Sequence, residues 1–187
     1  MNLLIRKARK HDKAAFQQLM EQEGKSMYKI AKAILKNDDD AADAMQETAL
    51  ACWEKIDTLE KDRYFRTWLT RILINNCNAI YRQRTKMVSG EEIPEPYFQE
   101  AGYANVEWES FLNCLDGKYR TIIILYYVEG FKTREIAEIL QVNENTVRGR
   151  LVTARKKLEA QYTEDIRTGR PVKMDGQKQL CTTERGL

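Results

Sequence analysis

Residues 133–158, TREIAEILQVNENTVRGRLVTARKKL, admit few folds. Ile136, Ala137 and Leu140 recur at helical spacing, so they share one apolar face. Val147, Leu151, Ala154 and Leu158 do the same further on. Only Gln141, Val142 and Asn143 separate the two patterns, which calls for a tight turn with Val142 tucked inward. The spacing predicts two short helices, the first capped by the Thr133 hydroxyl and the second by Asn143. The outer face of the second carries Arg148, Gly149, Arg150, Val152, Arg155, Lys156 and Lys157. A bracing helix followed by a basic one is the plan of a helix-turn-helix, whose second helix enters the major groove of DNA. A basic amphipathic helix is equally what a solvated face looks like, and pattern alone leaves both readings open.

Upstream the periodicity is again helical. Asp12 predicts a cap for a segment with Phe16, Leu19, Met20, Met27, Ile30, Ala31, Ile34 and Leu35 in the core, divided or weakened at Gly24. Residues 37–56 open on a polar, acidic turn suited to a helix N-terminus. Their packing stripe is Ala41, Ala44, Met45, Thr48, Cys52 and Ile56, which leaves Asp43, Gln46, Glu47 and Leu50 off it. That face reads either as solvated surface or as a dock for a basic partner. Residues 57–63 read as a loop. Residues 64–86 contain no acid, and Arg71, Asn75, Asn78 and Arg82 form one polar stripe, with Leu69, Ile72, Leu73, Ala79 and Ile80 opposite. Tyr64, Phe65 and Trp68 precede the stripe, and Arg66, Arg84 and Lys86 add charge. Arginines neutralise phosphate, amides read base edges and aromatics stack, which is what single-stranded DNA requires. Phe65 and Trp68 also fit as core, and for Trp68 that is the better reading.

Residues 87–105 lack periodicity and hold Pro and Gly, so they read as a linker between domains at 10–86 and 106–162. In the second domain Trp108, Phe111, Leu112 and Leu115 face inward, Asp116-Gly117 breaks the chain, and the run IIILYYV forms the centre until Glu129-Gly130. Residues 163–187 read as a disordered tail. The fold class is all-α: two small helical domains on a flexible linker, the second a helix-turn-helix bundle. The chain is 43% hydrophobic and 32% charged, as globular proteins are, and its net charge of +3 makes no demand for nucleic acid by itself. No run is long enough to span a membrane, and the N-terminus lacks the order of a signal peptide, so the expected compartment is the cytoplasm. Cys52, Cys77, Cys114 and Cys181 are scattered and His11 is the only histidine, so neither a metal site nor a disulfide framework is expected. No nucleophile–base pair, Gly-rich phosphate loop or HExxH occurs; no cofactor, small-molecule substrate or catalysis is expected.

Three segments carry a resemblance: DAADAMQE at 40–47, FRTWLTRILINNCNAIYRQR at 65–84, and YRTIIILYYVEGFKTREIAEILQVNENTVRGRLVTARKKL at 119–158. Together, over about residues 10 to 162, the chain resembles an extracytoplasmic-function (ECF) sigma factor of bacterial RNA polymerase, in the sigma-70 family. The resemblance implies that Asp43, Gln46, Glu47 and Leu50 dock on the polymerase clamp helices. It implies that Tyr64, Arg66, Arg71, Asn75, Asn78, Arg82 and Arg84 capture and open the −10 element. Asn145, Thr146, Arg148, Gly149, Arg150, Val152, Thr153, Arg155 and Lys156 would then read the −35 element. Implied partners are core RNA polymerase, through its clamp helices and flap, promoter DNA, and an anti-sigma factor that in this family is often membrane-bound. The linker would thread toward the polymerase active-site cleft. The chain departs from the family at Ala79, usually Asp; Gln141, usually a turn glycine; Gly149, commonly serine; and Thr153, commonly arginine. The alternatives are a free-standing helix-turn-helix regulator that needs no polymerase, and an interaction module that binds no nucleic acid. The acidic face and the separate basic stripe speak against the regulator, which needs only the second domain.

Overall fold

The computed structural model describes residues 2–89, 112 and 114–168, and every regular element among them is helical. The first domain begins with α1 (Asn2–Ala8), a helix that the sequence pattern did not reveal, whose Ile5 and Ala8 are buried. Helix α2 (Lys13–Leu35) starts where expected, with Asp12 Oδ1 accepting the Ala15 N–H at 3.0 Å. It runs unbroken through Gly24, so the expected division there does not occur. Glycine costs a helix roughly 1 kcal/mol relative to alanine; buried Leu19, Met27, Ile30, Ala31 and Ile34 hold it together across that weak point. Helix α3 (Asp38–Lys55) follows, its first turn capped by Asn37 Oδ1 accepting from Asp40 N–H at 2.9 Å. Its stripe of Ala41, Ala44, Thr48 and Cys52 is buried as the spacing predicts. Residues 57–63 are more ordered than a plain loop, with tight 3-10 turns at Ile56–Thr58 and Asp62–Tyr64.

Helix α4 (Phe65–Ser89) buries Phe65, Leu69, Leu73, Ile74 and Cys77. Ala79, expected inward, is exposed, because at helical pitch it falls on the side of Asn75 rather than of Leu73. Burial pushes the Cys52 and Cys77 thiols up to about 12, which makes them packing groups rather than nucleophiles. Helix α4 passes the expected boundary at 86; the rest of the linker, Trp108, Phe111, Cys181 and residues 169–187 lie outside the described residues.

In the second domain α5 (Gly117–Ile123) widens into a π turn over Ile124–Val128. Ile122, Ile123, Ile124 and Leu125 form the buried centre, but Tyr127 and Val128 emerge at the surface, contrary to a run buried all round. The wider turn rotates the last residues off the apolar face. Gly130 takes a positive φ of 73°, and Phe131 folds back with its N–H on Leu125 C=O at 2.9 Å. Helix α6 (Thr133–Leu140) and helix α7 (Glu144–Thr168) form the expected helix-turn-helix. Its first cap differs from expectation. Thr133 lies inside α6 and its hydroxyl donates to Glu144 Oε1 at 2.7 Å, while Glu135 closes the helix start by accepting the Lys132 N–H. Asn143 does cap α7, accepting the Asn145 N–H at 2.8 Å. Gln141 sits in the left-handed region at φ 55°, at a cost of roughly 1 kcal/mol that the usual glycine avoids. Helix α7 continues past Tyr162, so residues 163–168 are helix rather than tail.

The domains pack on each other: α5, the π turn and α6 meet α2 and α4. Arg120, buried at this seam, donates from Nε to Leu112 C=O at 3.1 Å and from Nη2 to Leu115 C=O at 2.8 Å. Its Nη1 reaches Ala33 C=O in the last turn of α2 at 3.5 Å, where helical carbonyls lack partners of their own. Arg120→Ala is therefore expected to destabilise the chain by roughly 2–3 kcal/mol, since buried carbonyls lose charged donors. Urea unfolding checks this; an unchanged midpoint would contradict it.

Candidate nucleic-acid interface

The helix-turn-helix presents its basic face as the spacing predicts. Val147, Leu151 and Ala154 are buried, which turns Asn145, Thr146, Arg148, Gly149, Val152, Arg155 and Lys156 outward. Thr153 is half-buried and donates to Gly149 C=O at 3.1 Å. A Cβ at Gly149 would meet nothing within 4 Å, so packing within the chain does not require glycine there. Val152 is half exposed, an apolar group on a polar face. Glu144 organises the helix start: it accepts from Thr133 and from Arg148 Nη2, each at 2.7 Å, and these bonds hold its carboxyl below the usual range. Arg155 Nε donates to Tyr127 Oη at 2.6 Å, so the tyrosine that the π turn pushed outward orients a basic side chain. Arg150 is the exception on this face. It is half-buried and lines a cleft with Ile34, Ile74, Asn78 and Leu140, between the domains.

On α4 the stripe is real but shared. Arg71, Asn75 and Arg82 are exposed, and Asn78 is half-buried in the inter-domain cleft. With its amide oxygen turned toward the guanidinium, Gln141 accepts from Arg71 Nε at 3.1 Å. Arg66 does not stand free on the stripe. Its Nη2 lies 2.7 Å from Glu129 Oε2, its Nε 3.4 Å from Glu23 Oε2, and its Nη1 donates to Glu129 C=O at 3.2 Å. Arg84 pairs with the buried Asp40 at 2.8 Å; burial still pushes the Asp40 carboxyl up, with Arg84 opposing. Tyr64 is exposed, with the Arg63 guanidinium 4.7 Å above its ring. Phe65 is fully buried and Trp68 half-buried against it, so neither is an open stacking platform.

The turn before Tyr64 is braced by α1. Asp62 receives Arg6 Nε at 3.2 Å and Arg9 Nη1 at 3.3 Å, and Asp57 pairs with His11 Nε2 at 3.0 Å. On α3, Asp43, Gln46 and Glu47 are exposed, and Leu50 stands out with 61% of its surface accessible. The exposed acids, the basic stripe and the recognition face thus lie on different helices.

Sequence reasoning missed Glu23, Ser26 and Glu129. Burial of Glu23 pushes its carboxyl up, with Arg66 opposing and Glu129 adding to the rise. One signal was available: Glu23 lies in register with Leu19 and Met27, so an acid interrupts an apolar stripe. No signal of that kind marks Glu129, whose burial comes from contact between domains. Among the described residues no group of His, Cys, Asp and Glu is arranged to hold a metal ion, and no helix is long and apolar enough to cross a membrane.

Comparison with known proteins gives the family. The family model for Sigma-70 region 2 matches residues 19–87, and that for Sigma-70, region 4 matches residues 106–158. The RNA polymerase sigma factor SigV of Bacillus subtilis is 33% identical over 141 residues, covering 74% of this chain and 85% of that protein. CnrH of Cupriavidus metallidurans, also an RNA polymerase sigma factor, is 29% identical over 175 residues, covering 84% of this chain and 92% of the relative. Among solved structures, CnrH in complex with the cytosolic domain of CnrY superposes with a TM-score of 0.66 at 28% identity, over 88% of this chain and 97% of the other. The sigma factor RpoE of Bartonella quintana, in complex with the anti-sigma factor NepR, gives a TM-score of 0.66 at 27% identity, over 80% and 98% of the two chains. With both family regions in order and a relative above 30% identity, this chain belongs to the sigma-70 family of RNA polymerase sigma factors, in its extracytoplasmic-function group.

Proposed function

We propose that this sigma factor docks on core RNA polymerase through α3, opens the −10 element with α4 and the turn before it, and reads the −35 element with α7. The observation that carries the division of labour is the segregation of surfaces. An acidic face with one exposed leucine lies on α3, an acid-free stripe on α4 and a basic face on α7. Asp43, Gln46, Glu47 and Leu50 face the clamp helices, with the acids steering the encounter toward basic groups and Leu50 supplying apolar contact. In the groove, Arg148 and Arg150 serve phosphate or guanine, and Val152 a thymine methyl. Asn145 and Thr146 sit at the N-terminus of α7, where backbone N–H groups favour phosphate. Gly149 and Thr153 lack the side chains that the family commonly places there, so the preferred −35 sequence is this chain's own.

At the −10 element, Tyr64 and the stripe of Arg71, Asn75, Asn78 and Arg82 hold unpaired bases. Unstacking costs a few kcal/mol per step, and phosphate contacts together with polymerase docking offset it. Arg66 and Arg84 contribute charge there once released from their carboxylates. The chain lends specificity and performs no catalysis of its own; it acts in the cytoplasm, where polymerase is. The complexes of CnrH with CnrY and of RpoE with NepR support an inhibitory protein partner here too, in keeping with control from the membrane.

Size-exclusion co-elution of the purified chain with bacterial core polymerase tests the assignment; a folded chain that never co-elutes overturns it in favour of the free-standing regulator. Arg148→Ala is expected to weaken use of a cognate promoter by roughly 1–3 kcal/mol, about 5- to 150-fold in open-complex formation, and an unchanged promoter profile would remove Arg148 from the recognition set. Charge reversal at Asp43 and Glu47 is expected to weaken polymerase binding while leaving the thermal melt in place. A doubly reversed variant that binds core polymerase normally would take the docking face off α3.

A further inference from the structure

We propose that the described conformation is a closed, non-initiating state, held by a clasp in which Glu129 of the second domain grips Arg66 of the first. This rests on the promoter-binding reading above and concerns its regulation.

Elements named for positions −10 and −35 lie about 25 base pairs apart, on the order of 80 Å of duplex at 3.4 Å per step. In this structure the surfaces assigned to them share one seam. Helix α6 packs on α4, Asn78 and Arg150 line one cleft, and Gln141 of the recognition turn accepts from Arg71. A chain folded this way does not span both elements, so α6 and α7 have to leave α4 before both are engaged.

A cluster of paired charges occupies the seam. Arg66 donates to both the carboxylate and the backbone carbonyl of Glu129, lies 4.9 Å from the Phe131 ring centroid and reaches Glu23. The Ser26 hydroxyl donates to Glu129 Oε2, so both α2 and α4 hold the same carboxylate. Glu129 and Glu23 are buried by this contact. Carboxylates that leave water and find one guanidinium are held in a definite geometry. An ion pair whose carboxylates are buried nearly balances their desolvation, so it fixes an arrangement without locking it deeply. That is the property a clasp requires if it is to open. The competition is direct, since Arg66 contacts either Glu129 or DNA phosphate.

The full-length Glu129→Gln variant tests this; Glu129 is not part of the DNA-reading or polymerase-docking sets. Small-angle X-ray scattering of the free chain reads the opening, and titration with core polymerase reads its consequence. Expected is a larger radius of gyration than wild type, and an apparent affinity for core polymerase tighter by about tenfold, since polymerase that takes the first domain on its clamp helices and the second on its flap binds only the separated form, and a mostly closed population taxes that binding by its open fraction. Circular dichroism establishes that the variant is folded. If it is not, Ser26→Ala, which removes one donor to the same carboxylate, takes its place with a smaller change in the same direction. Unchanged dimensions in the folded variant overturn the clasp, as does an expanded chain that binds polymerase no better than wild type. If neither protein binds core polymerase, the promoter-factor reading fails, and the scattering result alone still decides whether Glu129 holds the domains together.

Discussion

Everything in this molecule leans on the apolar stripe of α2. Leu19, Met27, Ile30, Ala31 and Ile34 are buried along one face of a single long helix, and α1, α3 and α4 all pack against it. Its C-terminal end serves the second domain as well, through the Ala33 carbonyl that Arg120 reaches and through Ile34 in the inter-domain cleft. Because one helix supplies both contacts, the arrangement of surfaces follows from it. Helix α3 lies against α2 by its alanine stripe and so turns Asp43, Glu47 and Leu50 to solvent, while α4 buries Leu69 and Leu73 and turns Arg71 and Asn75 out. Packing that buries a narrow stripe on each helix leaves the opposite face available for a partner.

Charge within these faces is managed by pairing. The buried carboxyl of Asp40 pairs with the exposed Arg84, those of Glu23 and Glu129 with the half-buried Arg66, and Glu144 holds Arg148 at the start of the recognition helix. The two kinds differ in consequence. The Glu144–Arg148 pair is exposed, so it contributes little to stability and yields readily to a phosphate. The Arg66 network is sheltered, so its partners change together or not at all. A protein that must bind a polyanion keeps its arginines from idle association in this way, at different depths for different steps.

The long helices and the tight turn between α6 and α7 were legible in the sequence because each rests on local periodicity or on a cap. Asp12, Asn37 and Asn143 accept the backbone N–H groups that their positions suggest. What escaped was mostly non-local. Helix α1 is too short to show a period, and it is held by Ile5, Ala8 and the Arg6 and Arg9 pairs to Asp62, more than fifty positions away. Gly24 looked like a break because propensity is a local quantity, whereas α2 is held by α1, α3 and α4 along its buried face. Thr133 looked like a cap because its hydroxyl is close to the helix start, but the helix begins at Thr133 itself, with Lys132 in the cap position, and the Thr133 hydroxyl donates to Glu144 instead. The π turn that brings Tyr127 out to Arg155 has no counterpart in a regular 3.6-residue pattern.

The most informative failure of sequence reasoning is Arg66. Read along the chain, it adds charge beside the polar stripe of α4; read in space, it is held by Glu129 and Glu23. Both readings are physically sound, and they hold for different states of one molecule. A guanidinium matches carboxylate and phosphate equally well, so a residue selected for one is a ready target for the other. The second domain exploits this by presenting Glu129 at the end of the π turn, just before Gly130 reverses the chain into the helix-turn-helix. Any ligand that competes for Arg66, or that draws α6 away from α4, shifts the balance by no more than its preference for the separated form. Promoter phosphate carries such a preference through Arg66, and polymerase carries it if it holds the two domains apart, at its clamp helices and its flap. An inhibitory partner carries the opposite one if it seats across both domains. The same pair of charges therefore converts an ordinary packing contact into a point where opposing partners are weighed against each other.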